Sequence, residues 1–318
     1  MTPGLEEIRK AARRIAPYIH CTPVITNASI NRQMDCEIFF KCENFQKAGA
    51  FKSRGACNAI FSLTDEEVEM GVATHSSGNH AQALARAASL RKCPAYIVMP
   101  STSSKVKVNA VKEYGGRITF CEPSLASRES TLKEVIEETG ATEIHPYNDH
   151  RIITAQATAA LELLEEISGF DIIMAPVGGG GLLSGTLLTV KNLDPAVKVI
   201  AGEPEGASDA FRSFRSGKFI PSENPDTIAD GLLTSLGTLT FPIIMDNVDD
   251  ILLADDETIK CAMRMIWERM KIIVEPSAAV PLAAIMKNIE RFRKKRTGVI
   301  LSGGNIDLDH IPWIKNNL

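Results

Sequence analysis

The segment best suited to covalent chemistry is Ala50-Phe51-Lys52-Ser53-Arg54-Gly55, which follows a strand-like run at 37–42 and opens a helical pattern. A lysine between an aromatic ring and small residues is partly removed from water. Such burial lowers the pKa of the amine and makes it a nucleophile toward an aldehyde. Lys52 is therefore the candidate nucleophile of the chain.

Three turns of small and polar residues occur elsewhere, at 75–80, 177–181 and 301–305, and each directly follows a strand-like run. In open α/β sheets, ligands bind at the carboxyl ends of the strands. A lysine, a glycine-rich turn and two polar turns at that edge are the groups that a phosphorylated aldehyde requires.

The glycine-rich turn, Gly178 to Gly181, lies between a strand pattern and a helical pattern. Its backbone N–H groups and the positive end of the following helix favour a phosphate. The alternative is a dinucleotide fingerprint, because Glu203 lies roughly 20 residues further on, where a ribose-binding acid would be. That alternative leaves Lys52 and the two polar turns unexplained.

Strand-like and helical segments alternate along the chain, which predicts an α/β fold with parallel sheets covered by helices on both faces. Strands are predicted at 37–42, 71–75, 95–99, 117–121, 171–176, 198–203, 249–253 and 298–302. Helices are predicted at 4–17, 51–63, 79–91, 104–114, 125–139, 152–168, 181–192, 256–271, 277–289 and 309–316. We expect a small mobile domain at 70–147 and a large domain formed by 1–69 and 148–318.

Composition indicates an ordinary globular enzyme, since 23% of the 318 residues are charged, 44% are hydrophobic and the net charge is −4. This balance favours neither a nucleic-acid partner nor a membrane, and no apolar run approaches the length of a membrane span. The seven cysteines show no C-x-x-C spacing. We therefore expect reduced thiols in a cytoplasmic protein.

Taken in order, these motifs resemble the pyridoxal-phosphate enzymes of the serine/threonine dehydratase and serine racemase family, which have the tryptophan-synthase-β-like fold (fold type II). The resemblance covers nearly the whole chain and is carried by 39–43, 45–47, 74–80, 176–181 and 301–307. It implies that Lys52 forms a Schiff base with pyridoxal 5'-phosphate in a cleft between two lobes. The implied cofactor-binding residues are Phe51, Lys52, Asn79, Gly178, Gly179, Gly180, Gly181, Leu182 and Ser302.

The resemblance also bears on the reaction, which we expect to be serine racemisation accompanied by β-elimination to pyruvate and ammonia. A racemase needs an acid/base on each side of Cα, and the resemblance places Lys52 on one side and Ser77 on the other. Ser302 would meet the pyridine nitrogen with a neutral hydroxyl, which suits these reactions better than transamination. The implied substrate-binding residues are Ser76, Ser77, Gly78, Asn79, His80, Arg128 and Thr234.

Two alternative functions remain. The first is a threonine/serine dehydratase with little racemisation, and the second is a catalytically silent amino-acid sensor. Lys52 and Ser77 both argue against the sensor. Tyr147 stands where the mammalian racemases have asparagine, and we expect its larger ring to narrow the substrate end of the cleft.

A cation site is implied at Glu203, Ala207 and Asp209, whose two carboxylates and one carbonyl suit Mg²⁺, Ca²⁺ or Mn²⁺. ATP as an activator, and a homodimer, are implied by resemblance alone, and Ala48 departs from the hydroxyl residue found at the nucleotide site of the mammalian form. The implied nucleotide-binding residues are Gln82, Lys107, Tyr114, Lys271 and Asn305.

Overall fold

A computed structural model describes residues 2–103 and 105–313 of the protein. Its strands are β1 Val24–Ile25, β2 Glu37–Cys42, β3 Val72–His75, β4 Ala95–Pro100, β5 Arg117–Cys121, β6 Thr142–Glu143, β7 Ile172–Pro176, β8 Lys198–Pro204, β9 Asp250–Ala254 and β10 Arg296–Leu301. Its helices are α1 Leu5–Ile15, α2 Ala28–Met34, α3 Lys52–Phe61, α4 Asp65–Met70, α5 Asn79–Arg91, α6 Lys105–Glu113, α7 Leu125–Thr139, α8 His150–Glu166, α9 Gly181–Leu193, α10 Asp209–Ser216, α11 Thr240–Asn247, α12 Asp256–Met270, α13 Pro276–Lys287 and α14 Ile289–Phe292.

The strands form two sheets. Six of them follow the order β1-β2-β10-β7-β8-β9, and the other four follow the order β5-β4-β3-β6. All neighbouring pairs are parallel except β1 with β2, which is antiparallel. Parallel strands are covered on both faces and so read as continuous apolar runs, and all five residues of β7 are buried. The predicted α/β class is confirmed.

The parallel register places the carboxyl ends of β2, β10 and β7 at one edge of the larger sheet. The segment that leads to α3 follows β2, the 301–305 turn follows β10, and the glycine turn follows β7. The fold therefore brings three sequence motifs that are far apart in the chain to the same place.

A buried ion network holds α3 against its neighbours. The guanidinium of Arg54, which is fully buried, donates to the carboxylate of Glu43 at 2.7 and 2.8 Å. It also donates to the carboxylate of Glu162 on α8 at 2.6 and 2.7 Å. The buried amine of Lys41 pairs with Glu162 at 2.7 Å. The two cations, Arg54 and Lys41, thus balance the charges of the two carboxylates. Arg54 is only two residues after Lys52 in the chain.

All eight predicted strands are present, as are nine of the ten predicted helices. The helix predicted at 309–316 is wrong over its described part, where Leu308–His310 form a single 3-10 turn. The structure does not describe residues 314–316 of that predicted helix or residue 104 of the helix predicted at 104–114. It also does not describe residue 1 or residues 314–318 of the predicted large domain. The elements that were not predicted are all short: β1, β6, α2, α4, α10, α11 and α14.

The smaller sheet is built from residues 72–143, which lie within the small domain predicted at 70–147. The domain boundaries themselves stay a prediction. Among the described helices, none combines the length and apolar character that crossing a bilayer requires.

Candidate active site

Lys52, the first residue of α3, lies where the segments after β2 and β10 meet. Ala50 forms an antiparallel bridge with Gly303, and the amide of Phe51 donates to the carbonyl of Ser302 at 3.0 Å. Ser302 is itself buried at the end of β10. Lys52, the predicted nucleophile, and Ser302, the predicted partner of the pyridine nitrogen, therefore lie on two segments that are hydrogen-bonded to each other.

The amine of Lys52 has a defined environment. Its Nζ donates to the carbonyl of Pro146 at 2.7 Å and lies 5.1 Å from the ring centroid of Phe51. Burial lowers the pKa of Lys52 to about 8, and the carboxylate of Glu275 opposes this shift. An amine with such a pKa is partly unprotonated near neutral pH, which suits both attack on an aldehyde and proton transfer.

The glycine turn between β7 and α9 is packed so closely that side chains are excluded. Gly180 has a φ of 86°, which glycine adopts without strain. A Cβ on Gly179 would lie 2.3 Å from the ring of Tyr147, and one on Gly178 would lie 2.8 Å from the Cα of Leu232.

The same turn ends in the N-terminus of α9, a 13-residue helix that begins at Gly181. Its free N–H groups and dipole favour an anion. Leu182 is buried in the core behind the turn. A phosphate fits this site, since bare backbone and a helix N-terminus are both present.

The turn at 76–80 follows β3 and leads into α5, with Gly78 as the N-cap. Ser76 and Ser77 are partly exposed on it. His80 is buried, its Nε2 lies 3.1 Å from the carbonyl of Ile144, and burial holds its pKa well below the ordinary value. The imidazole is therefore neutral and positions the turn, while substrate contact by His80 stays a prediction.

Asn79 connects this turn to the larger sheet. Its Nδ2 donates to both carboxylate oxygens of Glu275 at 3.0 Å. Its Oδ1 accepts from the Nδ2 of Asn305 at 2.9 Å. These bonds fix the orientation of the amide that is predicted to contact the cofactor.

Two further residues, Arg128 and Thr234, are predicted to bind the substrate. The Nε of Arg128 is buried and lacks a hydrogen-bond partner within residues 2–103 and 105–313, and its contact with the substrate stays a prediction. Thr234 shares a hydrogen bond with Tyr147. Burial raises the pKa of Tyr147, and a hydrogen bond with Thr234 opposes that shift. Because the Tyr147 ring also packs on the glycine turn, it joins the phosphate cradle to the predicted substrate end.

The predicted cation ligands occupy the junction of β8 and α10. The carboxylate of Glu203 accepts from the amides of Ala210 at 2.8 Å and Phe211 at 2.7 Å. Burial raises the pKa of Glu203 to about 8 and that of Asp209 to about 6. One oxygen of Asp209 is buried without a partner in the described part of the chain.

An unpartnered buried carboxylate oxygen beside a second carboxylate fits a cation. Over the residues that the structure describes, no group of three or more His, Cys, Asp or Glu side chains could hold a metal ion. A cation here would therefore take Glu203 and Asp209 together with backbone carbonyls, such as that of Ala207, and water.

The predicted nucleotide residues lie on several different elements. Asn305 contacts Asn79, and Gln82 lies on the same helix as Asn79, less than one turn away. Lys107 forms an ion pair with Asp230 at 2.7 Å. The remaining two directly follow α6 and α12: Tyr114 and Lys271.

Two contributors to the site were not predicted from the sequence. Pro146 offers only a carbonyl, for which a sequence carries no signal. Glu275 directly precedes Pro276, the first residue of α13, and its side chain does not cap that helix, so the local sequence marks a helix start but assigns the carboxylate no role. Its contact with Asn79 depends on how the two sheets are arranged.

A partly unprotonated lysine amine, a phosphate cradle and a buried hydroxyl meet at one sheet edge, and this combination defines the fold-type II class of pyridoxal-phosphate enzymes. A family model described as "Pyridoxal-phosphate dependent enzyme" matches residues 15–303. The chain belongs to this family. The predicted family, fold type and organic cofactor are thereby confirmed.

Particular relatives are similar over nearly their full lengths. Serine racemase of Dictyostelium discoideum is 52% identical, over 99% of this chain and 98% of that protein. β-Hydroxyaspartate dehydratase of Paracoccus denitrificans is 51% identical, over 98% of this chain and 99% of that protein. The solved structure of maize serine racemase superimposes with a TM-score of 0.95 at 48% identity, covering 97% of this chain and 95% of that one.

Proposed function

We propose that this protein is a pyridoxal-phosphate-dependent serine racemase that interconverts L- and D-serine and also eliminates water from serine to give pyruvate and ammonia. The similarity to the Dictyostelium and maize serine racemases supports the substrate. The observation that carries the chemistry is the amine of Lys52, which has a pKa of about 8. It occurs in the same chain as a glycine turn suited to the cofactor phosphate.

Bound pyridoxal phosphate supplies an aldehyde for the substrate amine and a conjugated ring that withdraws electrons from Cα. Lys52 acts as the base that removes the Cα proton, because its amine is unprotonated in a substantial fraction of molecules near pH 8. The carbonyl of Pro146 holds that amine in place through the 2.7 Å hydrogen bond.

Ser77 is the second acid/base in this proposal. Its turn is held by Asn79, two residues further on, which is bonded to Glu275. A proton returned by the Ser77 hydroxyl inverts the configuration at Cα, whereas one returned by Lys52 restores it. Loss of the β-hydroxyl competes with both returns, which accounts for a mixture of racemisation and elimination.

The alternative is a dehydratase with little racemisation. The 51% identity to a β-hydroxyaspartate dehydratase favours it specifically, because elimination is the reaction that this relative's name states. The Nε of Arg128 is a candidate contact for substrate carboxylates in either case.

Further components of the proposal are Mg²⁺ at Glu203, Ala207 and Asp209, ATP as an activator, a cytoplasmic location and a homodimer. The buried oxygen of Asp209 supports the cation. The bond from Asn305 to Asn79 supports communication between a nucleotide and the cofactor site. The origin of the smaller sheet, residues 72–143, supports a small domain at 70–147 that closes on the substrate.

The deciding experiment incubates purified protein with L-serine, pyridoxal phosphate and Mg²⁺, and follows D-serine by chiral chromatography alongside pyruvate. D-serine formed at a rate comparable with pyruvate supports the racemase. Pyruvate without D-serine selects the dehydratase. Lys52→Ala is the matched control and should form neither product while remaining folded.

A further inference from the structure

Glu275 is a buried carboxylate at the active site for which the proposed reaction has no role. Only 4% of the residue is exposed. Its amide donates to the carbonyl of Gly303 at 3.0 Å, next to the bridge between Gly303 and Ala50 that precedes Lys52. A carboxylate at such a position costs free energy unless it is paired or hydrogen-bonded.

The hydrogen bonds of Glu275 determine how Asn79 is oriented. An asparagine amide can be placed in two ways that differ by exchange of its nitrogen and oxygen. Because an ionised carboxylate only accepts, it selects the arrangement in which Nδ2 of Asn79 faces Glu275. Asn305 selects the same arrangement from the opposite side, since its Nδ2 donates to Oδ1 of Asn79.

Glu275 also joins the two sheets. Asn79 is the first residue of α5, four residues after the end of β3 in the smaller sheet. Glu275 directly precedes α13, a helix that packs on the larger sheet. The turn that carries Ser77 is thereby held to the body that carries Lys52. Loss of the contact would free the turn relative to the nucleophile.

Charged groups act on the carboxylate of Glu275 from other elements of the fold. The pKa of Glu275 is raised to about 7, chiefly by burial; Asp230 acts in the same direction, whereas Asn79 and Lys107 lower the pKa. The negative charge of Glu275 favours the protonated form of Lys52.

Positive charge on Lys52 acts in turn on two histidines near it, since it lowers the pKa of both His80 and His145. Burial is the larger cause of the shift at each histidine. Glu275 is the carboxylate that opposes the loss of the Lys52 proton.

We propose that Glu275 is a positioning residue of the active site, which fixes the amide of Asn79, holds the Ser77 turn to the larger sheet and sets the charge that faces Lys52. The inference rests on the proposed function only in taking Lys52 and Asn79 as cofactor-site groups. Glu275 need not touch the substrate.

The first test uses E275Q, which keeps the volume of the side chain and removes its charge. Competitive acetylation of the cofactor-free full chain, read by peptide mass spectrometry, gives the pH midpoint for labelling of Lys52. We expect the midpoint to fall by about one pH unit, the order of shift that a nearby opposite charge produces. E290Q, which alters an exposed carboxylate paired with Arg293, should leave it unchanged.

The second test measures hydrogen exchange of the 75–80 amides in the cofactor-loaded enzyme. E275Q should exchange about tenfold faster than wild type, because the glutamine amide has one acceptor oxygen where the carboxylate has two, so one charge-assisted hydrogen bond from Asn79 is lost. An unchanged Lys52 midpoint together with unchanged exchange would overturn the proposal. Neither measurement uses serine turnover, so both stand if the protein proves not to be a racemase.

Should E275Q fail to fold, E275D decides the question. Aspartate keeps the charge but is one methylene shorter, so it loses the reach to Asn79. We expect a Lys52 midpoint close to wild type and faster exchange at 75–80. Wild-type exchange in E275D would contradict the positioning role.

Discussion

Replacing Arg54 with methionine should destabilise the fold strongly, because the guanidinium pairs with a carboxylate that has no exposure to water. The side chains of Arg54 and Glu43 are both 0% exposed, and two hydrogen bonds join them. Methionine fills much of the same volume, so the change mainly removes charge and hydrogen bonds rather than opening a large cavity.

The magnitude follows from what remains after the substitution. Glu162 keeps its ion pair with Lys41 and is 20% exposed, so its charge stays compensated. Glu43 keeps only the hydroxyl of Thr22 among the partners that the structure gives it. Leaving one buried charge without its counter-ion costs about 3–5 kcal/mol, which is the loss in unfolding free energy that we expect for R54M.

Urea unfolding of the cofactor-free protein, followed by circular dichroism, measures this loss without a contribution from ligand binding. The matched control is R264M, which breaks an ion pair with Glu268 whose side chains are 59% and 52% exposed. It should cost less than about 1 kcal/mol. The double variant E43Q/R54M should be more stable than R54M, since it removes the unpaired charge. A loss in R54M no larger than in R264M would refute the reasoning.

Three further predictions concern the site. Ser77→Ala should abolish D-serine formation and spare part of the pyruvate formation, whereas retained D-serine would remove Ser77 from the acid/base role. Gly179→Ala should weaken cofactor binding at least about tenfold in equilibrium dialysis, because its Cβ would lie 2.3 Å from the Tyr147 ring; wild-type affinity would show that the turn can relax. The pKa of Glu203 is about 8 in the fold against an ordinary 4.5, so its carboxyl favours folding below about pH 4.5, and this contribution is lost as the pH rises toward 8. Mg²⁺ should therefore raise the melting temperature more at pH 8 than at pH 6, and an equal response in Glu203→Gln would argue against the site.

Much of the site could be predicted because its signals are local. Lys52 starts a helix after a strand, the glycines at 178–181 separate a strand from a helix, and Ser302 directly follows a strand. Each pattern reflects backbone geometry that neighbouring residues impose on one another. The long strands and helices were predictable for the same reason, since burial on a sheet or a helix face sets the spacing of apolar residues.

The short elements show where local signals end. β1 and β6 have two residues each and exist because β2 and β3 offer them hydrogen bonds. The helix predicted to begin at 309 is wrong over its described residues, 309–313, where local propensity was insufficient and a 3-10 turn is found over 308–310. A two-residue strand or a single turn gains its stability from partners elsewhere in the chain.

The sequence by itself determined the α/β class, the lysine and the phosphate cradle, because short-range spacing encodes each of them, and its ordered motifs carried the resemblance to the family. The tertiary structure decided the electrostatics: the pKa of about 8 at Lys52, the pairing of Arg54 with Glu43 and the contact of Glu275 with Asn79. These depend on burial and on contacts between residues that lie far apart along the chain. Such contacts exist only once the two sheets have been assembled.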